Sequence, residues 1–336
     1  MTPLSKLRNE EFVDALYRQL LGRAPDPDGF AHMVGRLKKG DDRLAIVQTF
    51  IESEEYRGRK PEAAYVPAGH FYSPFPSQST IDAHAHFDWN PASLPGIDLR
   101  EAQQLELLEK LAPHYAKVPF ADHPSQQARY GYQNPAFGAG DAIFLFTLIQ
   151  HLAPRRIIEV GSGHSSCAIL DAVERLPSGG TQVSFIEPYP DVLRQMLRPG
   201  DLDRYPLRQT GLQEVPLAEF QSLEAGDILF IDSSHVAKLA SDVSYLVFEI
   251  LPSLKPGVWV HVHDIFYPFE YPLDWYRMGR NWNEAYVLRA FLQYNTTWRI
   301  ELFSSFVVRR HPAWFERHMP AVMPNPGAHL WMSRAA

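Results

Sequence analysis

The sequence predicts a doubly wound α/β domain on a seven-stranded, mostly parallel sheet, preceded by a small all-α module. Three observations carry this. From residue 142 onward, short apolar runs alternate with helical stretches, the rhythm of crossover connections between parallel strands. The first of these runs ends in a loop with two glycines, Gly161-Ser162-Gly163, that opens a helix. The first 58 or so residues, by contrast, carry only helix signals. The 336 residues, 45% of them apolar, suffice for one large core or two smaller ones.

In the N-terminal module, Asn9 is expected to cap a helix whose first turn holds Glu10 and Glu11, with Phe12, Leu16 and Leu20 on one face. Gly22 and Pro25 end it. Asp26-Pro27 starts a second helix, Gly40 ends that one, and Asp41 is placed to cap a third, for which Phe50, Ile51 and Tyr56 supply apolar contacts. The string FVDALYRQLLGRAPDPDGFAHMVGRLKKG, followed by FIESEEYR, resembles the bacterial domain of unknown function 4214. That family is often fused to enzymes of surface-glycan assembly, so the resemblance implies a glycan context. The acidic PDPDG loop reads as capping and turn chemistry, since a calcium loop needs many more oxygen ligands.

Residues 59–98, rich in Pro, Ser and aromatics, read as a linker wrapping onto the second domain, which then spans 99–336. His84 and His86 would share a face if this stretch were a strand, as a metal site wants, but nothing nearby completes a ligand set. Asp98 with Glu101 forms a capping-box-like start to a helix through Leu111.

The alternation then runs in order. A helix is expected over 142–152, a strand over 156–160, a helix over 165–176 and a second strand over 183–187. A short helix follows Asp191. The third strand lies near 207–210 and the fourth at 227–231. A helix over 239–251 leads to a fifth strand at 258–262 and a helix over 283–294. Strand candidates at 298–303 and 329–332 fit an antiparallel hairpin edge. Ligands of such Rossmann-like sheets bind at the carboxyl ends of the strands.

There the loop Glu159-Val160-Gly161-Ser162-Gly163-His164-Ser165-Ser166 presents a helix N-terminus, suited to a carboxylate or phosphate. Glu187, ending the second strand, can accept both hydroxyls of a ribose. NAD and S-adenosylmethionine proteins share this geometry. Ser166 stands where the third glycine of an NAD fingerprint would be, Asp232-Ser233-Ser234-His235 follows the fourth strand, and the two last strands suit a seven-stranded sheet; all three favour S-adenosylmethionine. The segments IIEVGSGHSS, FIEPYP, FIDSSH, LKPGVWVHVHDIF and NEAYVLRAFL, in that order over roughly residues 129–310, resemble methyltransferase domain family 24, a class I methyltransferase type.

That resemblance implies contacts from Gly161, Ser162 and Gly163 to the methionine part of the cofactor. His164, Ser165 and Ser166 would offer donors to its carboxylate, Glu187 would hold the ribose, and Gln213 would lie by the adenine. Asp141 would sit in a segment over the cofactor. Glu159 either touches it or braces the loop. Cys167 reads as a packed helix residue.

Methyl transfer from a sulfonium depends chiefly on alignment, and a hydroxyl acceptor also needs its proton removed. Asp232, His235, His263 and Asp264 converge at the strand ends as candidates, with His263, Asp232 and His235 expected to be catalytic; His261 reads as a packed sheet residue. Many oxygen methyltransferases of this type bind a divalent ion through acidic residues in these loops. Asp232 and Asp264 match two places, Ile265 stands at the third, and His263 or His235 would have to substitute, which points away from magnesium. The aromatic insertion 266–283 reads as a lid over the acceptor, with Tyr267, Tyr271, Trp275, Tyr276 and Trp282 as its rings and Arg277 and Arg280 for an anionic group. A packed loop or a homo-oligomer contact is its alternative.

The expected activity is methylation of a small-molecule or glycan hydroxyl. A non-catalytic module binding cofactor or partner, and an NAD-dependent oxidoreductase, are the alternatives. A net charge of −7 with scattered Lys and Arg argues against nucleic acid. The single cysteine suits a reducing compartment, and with neither a signal-peptide core nor a membrane-length apolar run a cytoplasmic setting is expected.

Overall fold

The computed structural model describes residues 7–58, 66–177 and 179–335. The chain divides into two compact units, Met1–Ser77 and Gln78–Ala336. Residues 1–6 of the expected helical module and 59–65 of the expected linker lie outside the described residues.

The first unit contains helices Asn9–Leu20, Pro27–Lys38, Arg43–Glu52 and Glu54–Gly58 around Phe12, Val13, Leu16, Tyr17, Val34, Ile46 and Phe50. Asp26 caps the second helix by accepting from the Gly29 amide at 2.7 Å and also pairs with Arg23, so the PDPDG loop serves turn chemistry. Two caps differ from expectation by one residue. Arg8 is the N-cap of the first helix, its amide donating to Glu11 at 2.9 Å, and Asn9 is helical. Asp42 precedes the third helix while Asp41 is drawn to Arg36 at 2.7 Å. Ile51 faces solvent.

The second unit begins inside the segment read as linker. Helix Gln78–Ala83 and the short turn His84–His86 belong to it, and backbone carbonyls of Trp89, Pro91 and Pro95 accept from Arg309, Tyr267 and Gln293. His84 and His86 lie in a 3₁₀ turn rather than a strand, so they do not share a face; His84 stacks on Phe87.

The sheet has seven strands: β1 (Arg156–Val160), β2 (Gln182–Ile186), β3 (Leu207–Arg208), β4 (Ile228–Ile231), β5 (Trp259–His263), β6 (Trp298–Phe303) and β7 (His329–Arg334), in the order β3-β2-β1-β4-β5-β7-β6. The first five strands are mutually parallel, and β7 is antiparallel to both β5 and β6. Every residue of β4 is buried, as its unbroken ILFI run requires of a strand covered on both faces. The order turns back between β1 and β4, which opens a crevice at their carboxyl ends. The two last strands do not form a tight hairpin. Helices Ser304–Arg310 and Pro312–His318 intervene. The helix expected over 239–251 starts only at Asp242, where Ser241 caps it by accepting from the Ser244 amide at 3.1 Å, and passes through a π turn at Leu246–Ile250. Among the described residues no helix is long and apolar enough to cross a membrane.

Candidate active site

Three neighbouring cavities line the carboxyl ends of β1, β2, β4 and β5. The largest, about 510 Å³, is bordered by Gly161, Glu187, Gly211, Gln213, Asp232 and Ser241. A second, about 260 Å³, shares Gly161, Glu187, Tyr189 and Asp232 with it and adds Ser162, Gly163, His164 and Ser165. The third, about 390 Å³, meets the second at Ala136 and Phe137 and is bordered by Asp141, His263, Asp264, Phe266, Trp275 and Arg309.

The two glycines of the β1 loop do different things. Gly161 has φ +77, and a Cβ there would lie 1.7 Å from the Asp232 carbonyl oxygen, so the glycine lets the β1 and β4 loops touch. Gly163 is extended, and a Cβ on it would meet no protein atom within 4 Å. Its open side faces space rather than packing. Glu187 accepts from the Ser162 amide at 3.0 Å and the Tyr189 amide at 2.7 Å, which fixes its carboxylate at the rim of the first two cavities. The Ser162 hydroxyl is buried with no hydrogen-bond partner, an unmet group a ligand could satisfy. Gln213 joins the β3 and β4 loops through the Ala240 carbonyl at 2.7 Å.

Other expected contacts turn inward. Glu159 is fully buried and accepts from the Ser165 and Ser166 hydroxyls at 2.6 and 2.5 Å. Burial outweighs these bonds and pushes its carboxyl up to about 8. Both serine hydroxyls are thereby engaged behind the loop, and Ser166 also accepts from the Gly163 amide. Asp141 spends both oxygens on protein groups, namely the amides of Gly138 and Ala328 and His329 Nδ1 at 2.8 Å. It pins the start of helix Ala139–Leu152 to the segment before β7.

The β4 and β5 loops bring the candidate acid–base residues together. His235 Nε2 lies 3.4 Å from Asp232 and 3.7 Å from Asp264, and one potential ligand atom from each of the three falls within 4.8 Å of the others. Among the described residues this is the one such group of three. His263 stands beside it, 3.7 Å from Asp264 and 3.9 Å from Asp141, outside the trio. His235 and Asp264 both adopt positive φ, +59 and +55, a strain that clusters at sites over-determined by their surroundings. Burial would raise Asp232, but His263 and His235 outweigh it and hold its carboxyl below the usual range. Burial pushes Asp264 up to about 6 against the pull of the same histidines. Around His263, burial is outweighed by Asp232, Asp141 and Asp264, which raise its pKa.

Glu284 was not anticipated. It is buried in the first turn of helix Glu284–Leu292 and lies 2.8 Å from His235 Nδ1. This carboxylate holds the ring with Nε2 toward the two aspartates. In sequence an acid at a helix start is indistinguishable from an ordinary dipole partner. The aromatic insertion divides: Tyr267 and Tyr271 are core residues, Trp282 packs against His235 with ring centroids 4.3 Å apart, and Phe266, Pro272 and Trp275 border the third cavity. The two arginines expected there are committed elsewhere. Arg277 pairs with Asp274 and Asp82, and Arg280 stacks over Trp275 and Trp282.

Residues 158–265 match the methyltransferase domain family, and residues 3–59 match a domain of unknown function (DUF4214). An uncharacterised protein of Archaeoglobus fulgidus is 31% identical over 167 residues, 47% of this chain and 73% of that one. Residues 158–265 thus carry a methyltransferase domain. Similar solved structures include a putative O-methyltransferase from Klebsiella pneumoniae (16% identity, 68% of this chain and 90% of that one, TM-score 0.37). Another is an O-methyltransferase from Bacillus cereus in complex with SAH (18%, 77% and 97%, TM-score 0.37). For the methyltransferase domain, the seven-stranded order and the antiparallel β7 agree with the sequence expectation.

Proposed function

We propose that this methyltransferase transfers the methyl group of S-adenosylmethionine to a hydroxyl of a small-molecule or glycan acceptor. The observation that carries the reading is the continuity of the cavities: the groove over Gly161, Gly163 and Glu187 meets, at Phe137, a cavity bordered by His263 and Asp264. The cofactor fits the residues present, because Gly163 leaves its side open, Ser162 has an unmet hydroxyl and Glu187 stands at the groove rim. Bound there, it supplies an electrophilic methyl on a good leaving group. Ser162 and Gly163 would hold its methionine end, Glu187 its ribose and Gln213 the region of its base. Glu159, Ser165, Ser166 and Asp141 act by shaping the loop and helix that carry these contacts.

His263 is the proposed base for the acceptor proton, with the surrounding carboxylates stabilising the imidazolium that forms. Asp232 and His235 complete the polar end of the cavity. Asp232, His235 and Asp264 also have donor atoms suited to a divalent ion such as manganese, iron or zinc, which would supply Lewis acidity to the acceptor oxygen. His263 stands apart from that donor set. A cytoplasmic setting goes with the buried, free Cys167.

His263→Ala and Asp232→Asn test the assignment. Both are expected to lower turnover by about 10²–10⁴-fold while S-adenosylhomocysteine binding persists. Wild-type turnover in both variants would remove these residues from the chemistry.

A further inference from the structure

We propose that Arg309 forms an anion-binding subsite in the 390 Å³ cavity, so that the acceptor carries a carboxylate or phosphate as well as its reacting hydroxyl. This rests on the methyl-transfer reading above and names the acceptor class for that site.

Arg309 lies near the end of helix Ser304–Arg310 and borders the cavity that His263 and Asp264 close at its polar end. Its Nη1 donates to the backbone carbonyls of Trp89 at 2.8 Å and Tyr267 at 3.2 Å. These two neutral anchors fix the guanidinium plane without neutralising it. Among the described residues Arg309 makes no ion pair, whereas Arg310 beside it faces Glu101 at 3.8 Å. Nε and Nη2 therefore present a free edge of the planar fork, the arrangement that takes a carboxylate or phosphate through two parallel hydrogen bonds. Arg309 is exposed and no carboxylate lies close enough to counter its charge, so the guanidinium is open to an anionic ligand.

The charge pattern of the walls also sets a direction. Asp141 and Asp264 border the cavity near His263 and repel an anion from that end. An acceptor with one anionic group would thus point it at Arg309 and leave its hydroxyl toward His263. Trp275 and Phe266 line the wall and offer an apolar face to a sugar or flat ring. Ser305 lines it too; its hydroxyl oxygen accepts from the Tyr267 amide at 2.8 Å and its hydrogen stays free to donate. The arginines that sequence reasoning favoured for this task, Arg277 and Arg280, are occupied by carboxylates and indoles respectively.

The test uses full-length protein, radiolabelled S-adenosylmethionine and matched acceptor pairs: glucuronate against glucose, glucose 6-phosphate against glucose, and protocatechuate against catechol. Within at least one pair the anionic member is expected to be methylated with a kcat/KM about tenfold or more above its neutral twin. Arg309→Met should raise KM for that acceptor about tenfold or more, leave kcat nearly unchanged, and leave the thermal shift with S-adenosylhomocysteine intact. Arg309→Lys should recover part of the loss, since it restores charge without the fork. Equal use of both members in every pair, methylation of no anionic probe, or an Arg309→Met variant that keeps the preference would each overturn the subsite. Loss of S-adenosylhomocysteine binding by the wild-type protein would instead overturn the methyl-transfer reading itself.

Discussion

Gly161 and Gly163 stand two residues apart in one loop, and the same substitution is expected to have opposite consequences at the two. Gly161→Ala forces a Cβ into the Asp232 carbonyl at a positive φ. It is expected to destabilise the protein by more than about 2 kcal/mol in chemical denaturation. Gly163→Ala meets no protein atom within 4 Å, and φ there lies outside the left-handed region. It should unfold at the wild-type temperature yet bind S-adenosylhomocysteine less well, because the added methyl occupies ligand space. Equal affinity in the second variant would place the cofactor elsewhere. His261 offers a second contrast. It is fully buried, stacked on Phe230 at 4.0 Å, and neither ring nitrogen has a hydrogen-bond partner. Burial, then His329 and His263, drive its pKa well down. His261→Phe removes two unmet polar atoms at nearly constant shape, so thermal unfolding should be unchanged or raised; a marked drop would mean that the nitrogens are satisfied in solution. Candidate site residues were legible where backbone geometry enforces a residue type, as at Gly161, or where a strand ends in an acid, as at Glu187. It was not legible where a side chain merely turns inward. Nothing in the letters distinguishes Ser166 bonding Glu159 from Ser166 facing a ligand.

At the scale of elements, β4 was readable as the unbroken apolar run of a strand buried on both faces, and β1, β2 and β5 as short segments rich in β-branched and aromatic residues. The helices Ser304–Arg310 and Pro312–His318 were not, since they follow β6 without a turn signal and their apolar residues continue its run. With those helices hidden in the sequence, Arg309 was hidden too. The β1 loop is held from behind by Glu159, and its titration belongs to the element as a whole. The carboxyl stays protonated in the folded protein up to about pH 8, whereas in the unfolded chain it ionises near 4.5. Stability from this group is complete below the lower value and is lost as pH rises through the upper one. Thermal stability of Glu159→Gln should therefore fall less than that of the wild type between about pH 5 and about pH 8. Parallel curves would contradict the buried neutral carboxyl. A second brace is Arg129, almost fully buried, which bonds Asp171, Glu174 and Asp201 and so ties residue 129 to two helices. Arg129→Met strands two buried aspartates and should cost about 3–5 kcal/mol by urea denaturation.

The whole molecule divides where composition alone did not place the division. Residues 78–98 lack a helical or strand period beyond short turns, so they read as linker, yet their carbonyls are acceptors for Tyr267, Gln293 and Arg309 of the second unit. A chain starting at residue 78 is expected to keep cofactor binding, and one starting at residue 99 to lose stability through those stranded donors; equal melting temperatures would return 78–98 to the status of a linker. Thermal unfolding of the full chain with S-adenosylhomocysteine and, separately, with NAD separates the two cofactor readings. A ligand at about 100 times its dissociation constant adds roughly 2.7 kcal/mol to the folded state, a rise on the order of 5–10 °C for a domain of this size. Use of S-adenosylmethionine requires that rise with S-adenosylhomocysteine and none with NAD. A rise with NAD alone, or with neither, would contradict it.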